Sequence, residues 1–177
     1  MRKLAAGLLA PLLALAATLS GQGVASAHHG LGLGFSTEVV SVADRTGPFP
    51  VDSRSWAWDN GLNTVHLQYR YWDCASANGC IMIWEDPNLG YNTFGVTQLT
   101  FMPNGAFRGG NVRMNPNSMN NTAFQRSKST CHEIGHGLGL NEHPAVNFTG
   151  SCMVQGLAPP ITDVPDWHDF QVVNDQN

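Results

Sequence analysis

Between residues 63 and 71 the chain reads "NTVHLQYRY", and its apolar positions alternate. Val65, Leu67 and Tyr69 fall on one side of a pleated strand and His66 on the other, which predicts a half-buried strand with a solvated histidine. "CIMIWED" is apolar almost without a break and predicts a buried strand, and "FGVTQLTFM" a third. "PNGAFRGG" carries turn residues, and "NVRMN" after it predicts a short fourth strand. Three stretches read as helices. "VDSRSWAWDNG" predicts a short one, capped by Asp52 or Ser53, with Trp56 facing inward. "TAFQRSKSTCHEIGHGLG" predicts the longest, starting at Asn120 or Asn121. The tail "TDVPDWHDFQVVND" places Trp167, Phe170 and Val173 on one side of a last helix capped by Thr162 or Asp163. The order helix, strands, helix, irregular segment, helix predicts an α+β arrangement, with a mostly continuous sheet packed on helices.

The first residues change the picture of the whole chain. Met1, Arg2 and Lys3 precede the apolar run "LAAGLLAPLLALAATL", which ends in "SGQGVASA" with Ala25 and Ala27 spaced as in a cleavage site. Residues 1–27 are therefore expected to be a removable signal peptide, the run being interrupted by Pro11 and short for a membrane span. Residues 28–34, "HHGLGLG", are expected to be a flexible N-terminus, and 35–177 a single domain. The formal net charge of −4 becomes more negative once Arg2 and Lys3 are removed, which argues against nucleic acid as a partner. Four cysteines suit an oxidising compartment and permit three pairings, among which Cys74–Cys80 and Cys131–Cys152 are favoured. The expectation is a secreted, extracellular, monomeric protein with no membrane contact in its mature form.

The chemistry is concentrated in "TCHEIGHGLGLNEHPA", residues 130–145. His132 and His136 stand four residues apart, so a helix presents both imidazoles to one point at a spacing that suits zinc. Glu133 sits beside them, where it can act as general base toward a water on the metal. Glycine is disfavoured inside helices, yet Gly135, Gly137 and Gly139 crowd into five residues. Gly139 is suited to end the helix in a left-handed turn and swing a third ligand back. Glu142 and His143 are the two candidates for that ligand.

"HEIGHGLGLNE" resembles the signature of the metzincin zinc peptidases, H-E-x-x-H-x-x-G-x-x-H/D. His132, Glu133, His136 and Gly139 match it, and the third-ligand position falls on Glu142, where the family carries histidine or, in the small secreted snapalysin-like enzymes, aspartate. Spacing thus favours Glu142 over His143. The chain is similar in style to the small snapalysin-like and matrixin-like peptidases of bacteria. "GSCMVQG" resembles the methionine turn beneath the metal, with Met153 as its methionine and Ser151 two residues before. A Cys131–Cys152 bridge would tie the zinc helix to that turn. "GVTQLTFMPNG" and "GGNVRMN" resemble the family's edge strand and its neighbour, and "PDWHDFQVV" the closing C-terminal helix, where His168 reads as a packed or capping residue.

The resemblance implies a metzincin-like zincin domain. Its twisted mixed sheet would pack on a long zinc-binding helix, with a Met-turn and a C-terminal helix. It implies a secreted zinc endopeptidase holding one catalytic zinc on His132, His136 and Glu142, with Glu133 as base and a peptide or protein as substrate. The alternatives are a zinc-binding protein of the same fold without turnover and a zinc amidase acting on cell-wall peptides. Calcium is possible but unsupported, since "EDPNLGYN" offers oxygen ligands yet reads better as a polar turn. Two family features are missing: no tyrosine follows Tyr91, and no long pro-segment precedes the domain.

Overall fold

A computed structural model describes residues 30–75, 79–143, 150–156 and 162–177. The leader segment at 1–27, together with His28 and His29, lies outside the described residues. Five strands and three helices follow in the order β1 (Val39–Arg45), α1 (Val51–Asp59), β2 (His66–Tyr71), β3 (Cys80–Glu85), β4 (Gly95–Phe101), β5 (Phe107–Met114), α2 (Ala123–Gly137) and α3 (Trp167–Gln176). The sheet runs β2-β1-β3-β5-β4. β1 pairs parallel with β2 and β3, β3 parallel with β5, and β4 antiparallel with β5. The domain is therefore α+β with a mixed sheet, and β4 forms one edge.

Two strands depart from the sequence reading. β1, at the heart of the sheet, leaves no alternating signal because it is covered on both faces: Val40 and Val42 are buried, and so are Ser41, Ala43 and Asp44. The Cys74–Cys80 disulfide lies beside it, and Ala75 N donates to Ser41 Oγ at 3.2 Å. β5 starts at Phe107, not at Asn111, so two glycines that read as a turn lie inside the strand. At Gly109 a Cβ would sit 2.3 Å from Cys80 O, so close approach of the backbones, not a turn, accounts for that glycine.

The helix faces also need correction. α1 buries Val51, Ser55 and Trp58, at positions i, i+4 and i+7, so Trp58 faces the core while Trp56 is 66% exposed. Pro50 occupies its N-cap, in place of Asp52 or Ser53. α2 is capped by Thr122, whose Oγ1 accepts from Gln125 N at 3.1 Å, not by Asn120 or Asn121. α3 is capped by Asp166 in a reciprocal box with Asp169, not by Thr162 or Asp163. Its inward side carries Phe170 and Val173, but Trp167 is 73% exposed. Residues 30–34, the described part of the N-terminal segment, make hydrogen bonds to the body of the domain. Leu31 N donates to Gly139 O at 2.8 Å, and Leu33 N to Gln176 Oε1 at 3.0 Å, which ties this segment to the ends of α2 and α3.

The core lies between the sheet and its helices, and α2 runs through it. Trp58 Nε1 donates to Cys131 O at 3.0 Å, and the Trp58 ring meets Phe170 edge-on at 5.9 Å. The Cys131–Cys152 disulfide ties α2 to the 150–156 segment. At Gly135 a Cβ would lie 2.3 Å from Met153 Sδ and 2.8 Å from the Trp58 ring, so any side chain there would drive the helix off its support. Among the described residues, no helix is long and apolar enough to cross a membrane. Gly135→Ala gains about 1 kcal/mol of helix propensity but overpacks the core at a cost of roughly 1–3 kcal/mol. The expected outcome is a lower urea midpoint with an unchanged slope, and an unchanged or raised midpoint would refute this packing account.

Candidate metal centre

α2 delivers His132 and His136 from successive turns, with rings perpendicular and Nε2 atoms 3.0 Å apart. The other nitrogen of each ring is already committed. His132 Nδ1 donates to Cys152 O at 2.9 Å, and His136 Nδ1 to Leu140 O at 2.8 Å. A carbonyl only accepts, so each Nδ1 carries a proton, and whenever both rings are neutral their Nε2 lone pairs are left facing each other. Two lone pairs at 3.0 Å repel unless a cation or a proton stands between them. Tetrahedral zinc at about 2.0–2.1 Å from each nitrogen would hold the pair about 3.4 Å apart. Burial, with His132 alongside, pushes the His136 pKa down and favours its neutral, ligating form.

Gly139 ends the helix with φ +88°, in the region that glycine enters freely, and the chain doubles back. Glu142 then lies over the histidines, its Oε1 3.9 Å from His132 Nε2. One ligand atom from each of His132, His136 and Glu142 lies within 4.8 Å of the other two, so the three could hold a metal ion. The neighbouring imidazoles, His132 foremost, hold the Glu142 carboxyl below its ordinary value, which keeps it anionic. Nitrogen, nitrogen and carboxylate oxygen form a donor set that fits a divalent transition metal.

His143 points the other way. It is buried, and its Nε2 donates to Asp169 Oδ1 at 2.6 Å. The second oxygen of Asp169 accepts from Ser151 Oγ at 2.6 Å and from Asp166 N at 2.8 Å. Ser151 Oγ in turn accepts from Met153 N at 2.8 Å, while His143 N donates to Met153 O at 3.0 Å. His143 thus belongs to the scaffold under the helix, together with the wholly buried Met153. His143, Asp166 and His168 also lie within 4.8 Å of one another, but Asp166 Oδ1 caps α3 and His143 is held by Asp169.

Glu133 is buried beside the two histidines, and its Oε2 accepts from Thr97 Oγ1 on β4 at 2.6 Å. On the same strand, a Cβ at Gly95 would lie 2.7 Å from Glu133 Cγ and 2.8 Å from its Oε1. The edge strand thus makes room for this carboxylate and orients it. Neither role was visible in the letters, which placed Gly95 and Thr97 on a strand but gave no sign of what they face. Two clefts, of about 390 and 290 Å³, open on either side, and both are lined by Gly95, His132, Glu133 and Glu142.

No known family model matches this chain, and no curated protein matches it either. The functional reading rests on the site itself.

Replacing Glu142 by alanine is expected to weaken metal affinity by more than the roughly 10- to 100-fold that loss of a group supporting a ligand costs. His143→Ala is expected to cost stability, through an unpaired Asp169, by about 1–3 kcal/mol while leaving the ligands in place. Titration with a chromogenic chelator separates the two. Equal losses of affinity would sink the assignment.

Proposed function

We propose that the protein is a secreted zinc endopeptidase of metzincin type, with His132, His136 and Glu142 as metal ligands and Glu133 as general base. One observation carries the reading. Two imidazoles are locked by backbone carbonyls so that their lone pairs converge, and a buried carboxylate stands beside them on the wall of an open cleft. A purely structural pair of histidines has no need of Glu142 as a third potential ligand, the open cleft or the oriented Glu133.

Bound zinc would supply Lewis-acid chemistry, polarising the scissile carbonyl and making water acidic enough to give up a proton near neutral pH. The chain's own groups do the rest. Glu133 takes the proton from the attacking water and delivers it to the departing amine, so that it is a base in one step and an acid in the next. The Thr97 hydroxyl occupies one of its oxygens and leaves the other for the water. An extended peptide can lie along β4, adding a strand through main-chain hydrogen bonds at the free edge, which places its scissile bond beside Glu133. The helix-and-sheet domain, the methionine under the helix and the C-terminal helix agree with a metzincin-like fold. Two disulfides and the lack of a membrane-crossing helix among the described residues are compatible with an extracellular setting.

The test is hydrolysis of casein and of a broad peptide mixture by the zinc-loaded protein. Activity should vanish with a chelator and return with zinc. Glu133→Gln should keep its zinc by elemental analysis and lose roughly 10²–10⁴-fold in turnover. Undiminished cleavage by Glu133→Gln would falsify the mechanism. Stoichiometric zinc with no cleavage of any peptide would instead indicate a binding protein that does not turn over.

A further inference from the structure

Lys128 lies one turn before His132 on α2 and is only 5% exposed. Lysine is rarely buried without a partner of opposite charge. Here Nζ donates to two backbone carbonyls, Val154 O at 2.8 Å and Cys152 O at 3.4 Å, which fixes the ammonium in place. Among the described residues, no carboxylate oxygen comes within 4.0 Å of it. Two carbonyls account for two of its three N–H groups. Lys128 lines the smaller cleft of about 290 Å³, next to His132 and Glu133. The described lining there includes the polar side chains of Asn92, Gln125, Ser129 and Gln155 alongside Phe94. Lys128 is the one lysine or arginine among those residues. Two glutamates also line the cleft, Glu142 grouped with His132 and His136 and Glu133 accepting from Thr97.

We propose that this cleft is a side-chain pocket selective for a carboxylate, and that Lys128 makes the protein cut beside an aspartate or glutamate of its substrate. The proposal rests on the peptidase reading for the cutting step but not for the binding step. An acidic side chain entering the cleft brings the missing counter-charge and accepts the remaining N–H. A leucine or glutamine in the same place leaves the buried ammonium without a partner of opposite charge, which is costly. The ordinary pKa of Lys128 is pushed down by burial, as for an ammonium short of counter-charge, with Glu133 and Glu142 offsetting part of that effect.

Two measurements on the zinc-loaded chain decide the matter separately from turnover. The first follows the Lys128 εCH₂ resonance while N-acetyl-glutamate N-methylamide or its glutamine analogue is added. The glutamate compound should bind about tenfold more tightly and move that resonance, as a charge-paired contact would. The second compares kcat/KM for a peptide set varied only at the residues flanking the cut. Glutamate should exceed glutamine by about tenfold, and Lys128→Gln should abolish that ratio, which is taken within each variant so that any loss common to all peptides cancels. Equal binding of the two analogues in the wild type overturns the proposal, and so does a glutamate preference that persists in Lys128→Gln. If Lys128→Gln loses its fold by circular dichroism, the wild-type resonance shift decides alone. If the protein binds the glutamate analogue at Lys128 but cuts nothing, the pocket stands and the peptidase reading falls.

Discussion

The segment 151–154 is clamped to one face of α2, and the site depends on that clamp. The Cys131–Cys152 bond joins the two covalently. His132 donates to Cys152 O, Lys128 reaches Val154 O, and Met153 fills the space that Gly135 leaves. From below, the buried Asp169 holds His143 and Ser151 through its two oxygens. Each tie is modest in isolation, about 0.5–1.5 kcal/mol for a neutral hydrogen bond and more for a charged one. Together they fix the rotation of a histidine ring, and with it the direction of a lone pair.

That direction matters because electrostatics decides what the pair can do. Two free imidazoles would turn apart or share a proton. Held by Cys152 O and Leu140 O, they keep their acceptor nitrogens converged, and the anionic Glu142 sits over them. The conformational cost of gathering three ligands is met in folding and need not be met again on binding. The same backbone turn that brings Glu142 to the cleft sends His143 into the scaffold, as neighbouring residues beyond a helix end project to different sides.

Much of this could be read from the letters, and the gaps have physical causes. The histidine spacing, the turn at Gly139 and the exposed His66 follow from helical and pleated periodicity. β1 could not be found that way, since a strand covered on both faces has no alternation to show. A glycine needed for close packing, such as Gly109, looks the same in sequence as one needed for a bend. Size suggests burial for Trp56 and Trp167, but the packing of α1 turns Trp58 inward in place of Trp56, and α3 keeps Phe170 and Val173 inward while Trp167 stays exposed. Thr97 and Gly95 lie nearly forty residues from Glu133 in the chain, and no local pattern encodes which strand will meet which helix.

That separation has a consequence for how the site is assembled. His132, His136 and Glu142 lie within eleven consecutive residues, so bringing them together closes only a short loop, while the rotation of the His132 ring also needs Cys152 O from the 151–154 segment. The setting of Glu133 is non-local, because it forms only when β4 has joined the sheet and docked against α2. The residues that could hold a metal are thus near neighbours in the chain, while the setting of the carboxylate beside them depends on two distant elements meeting.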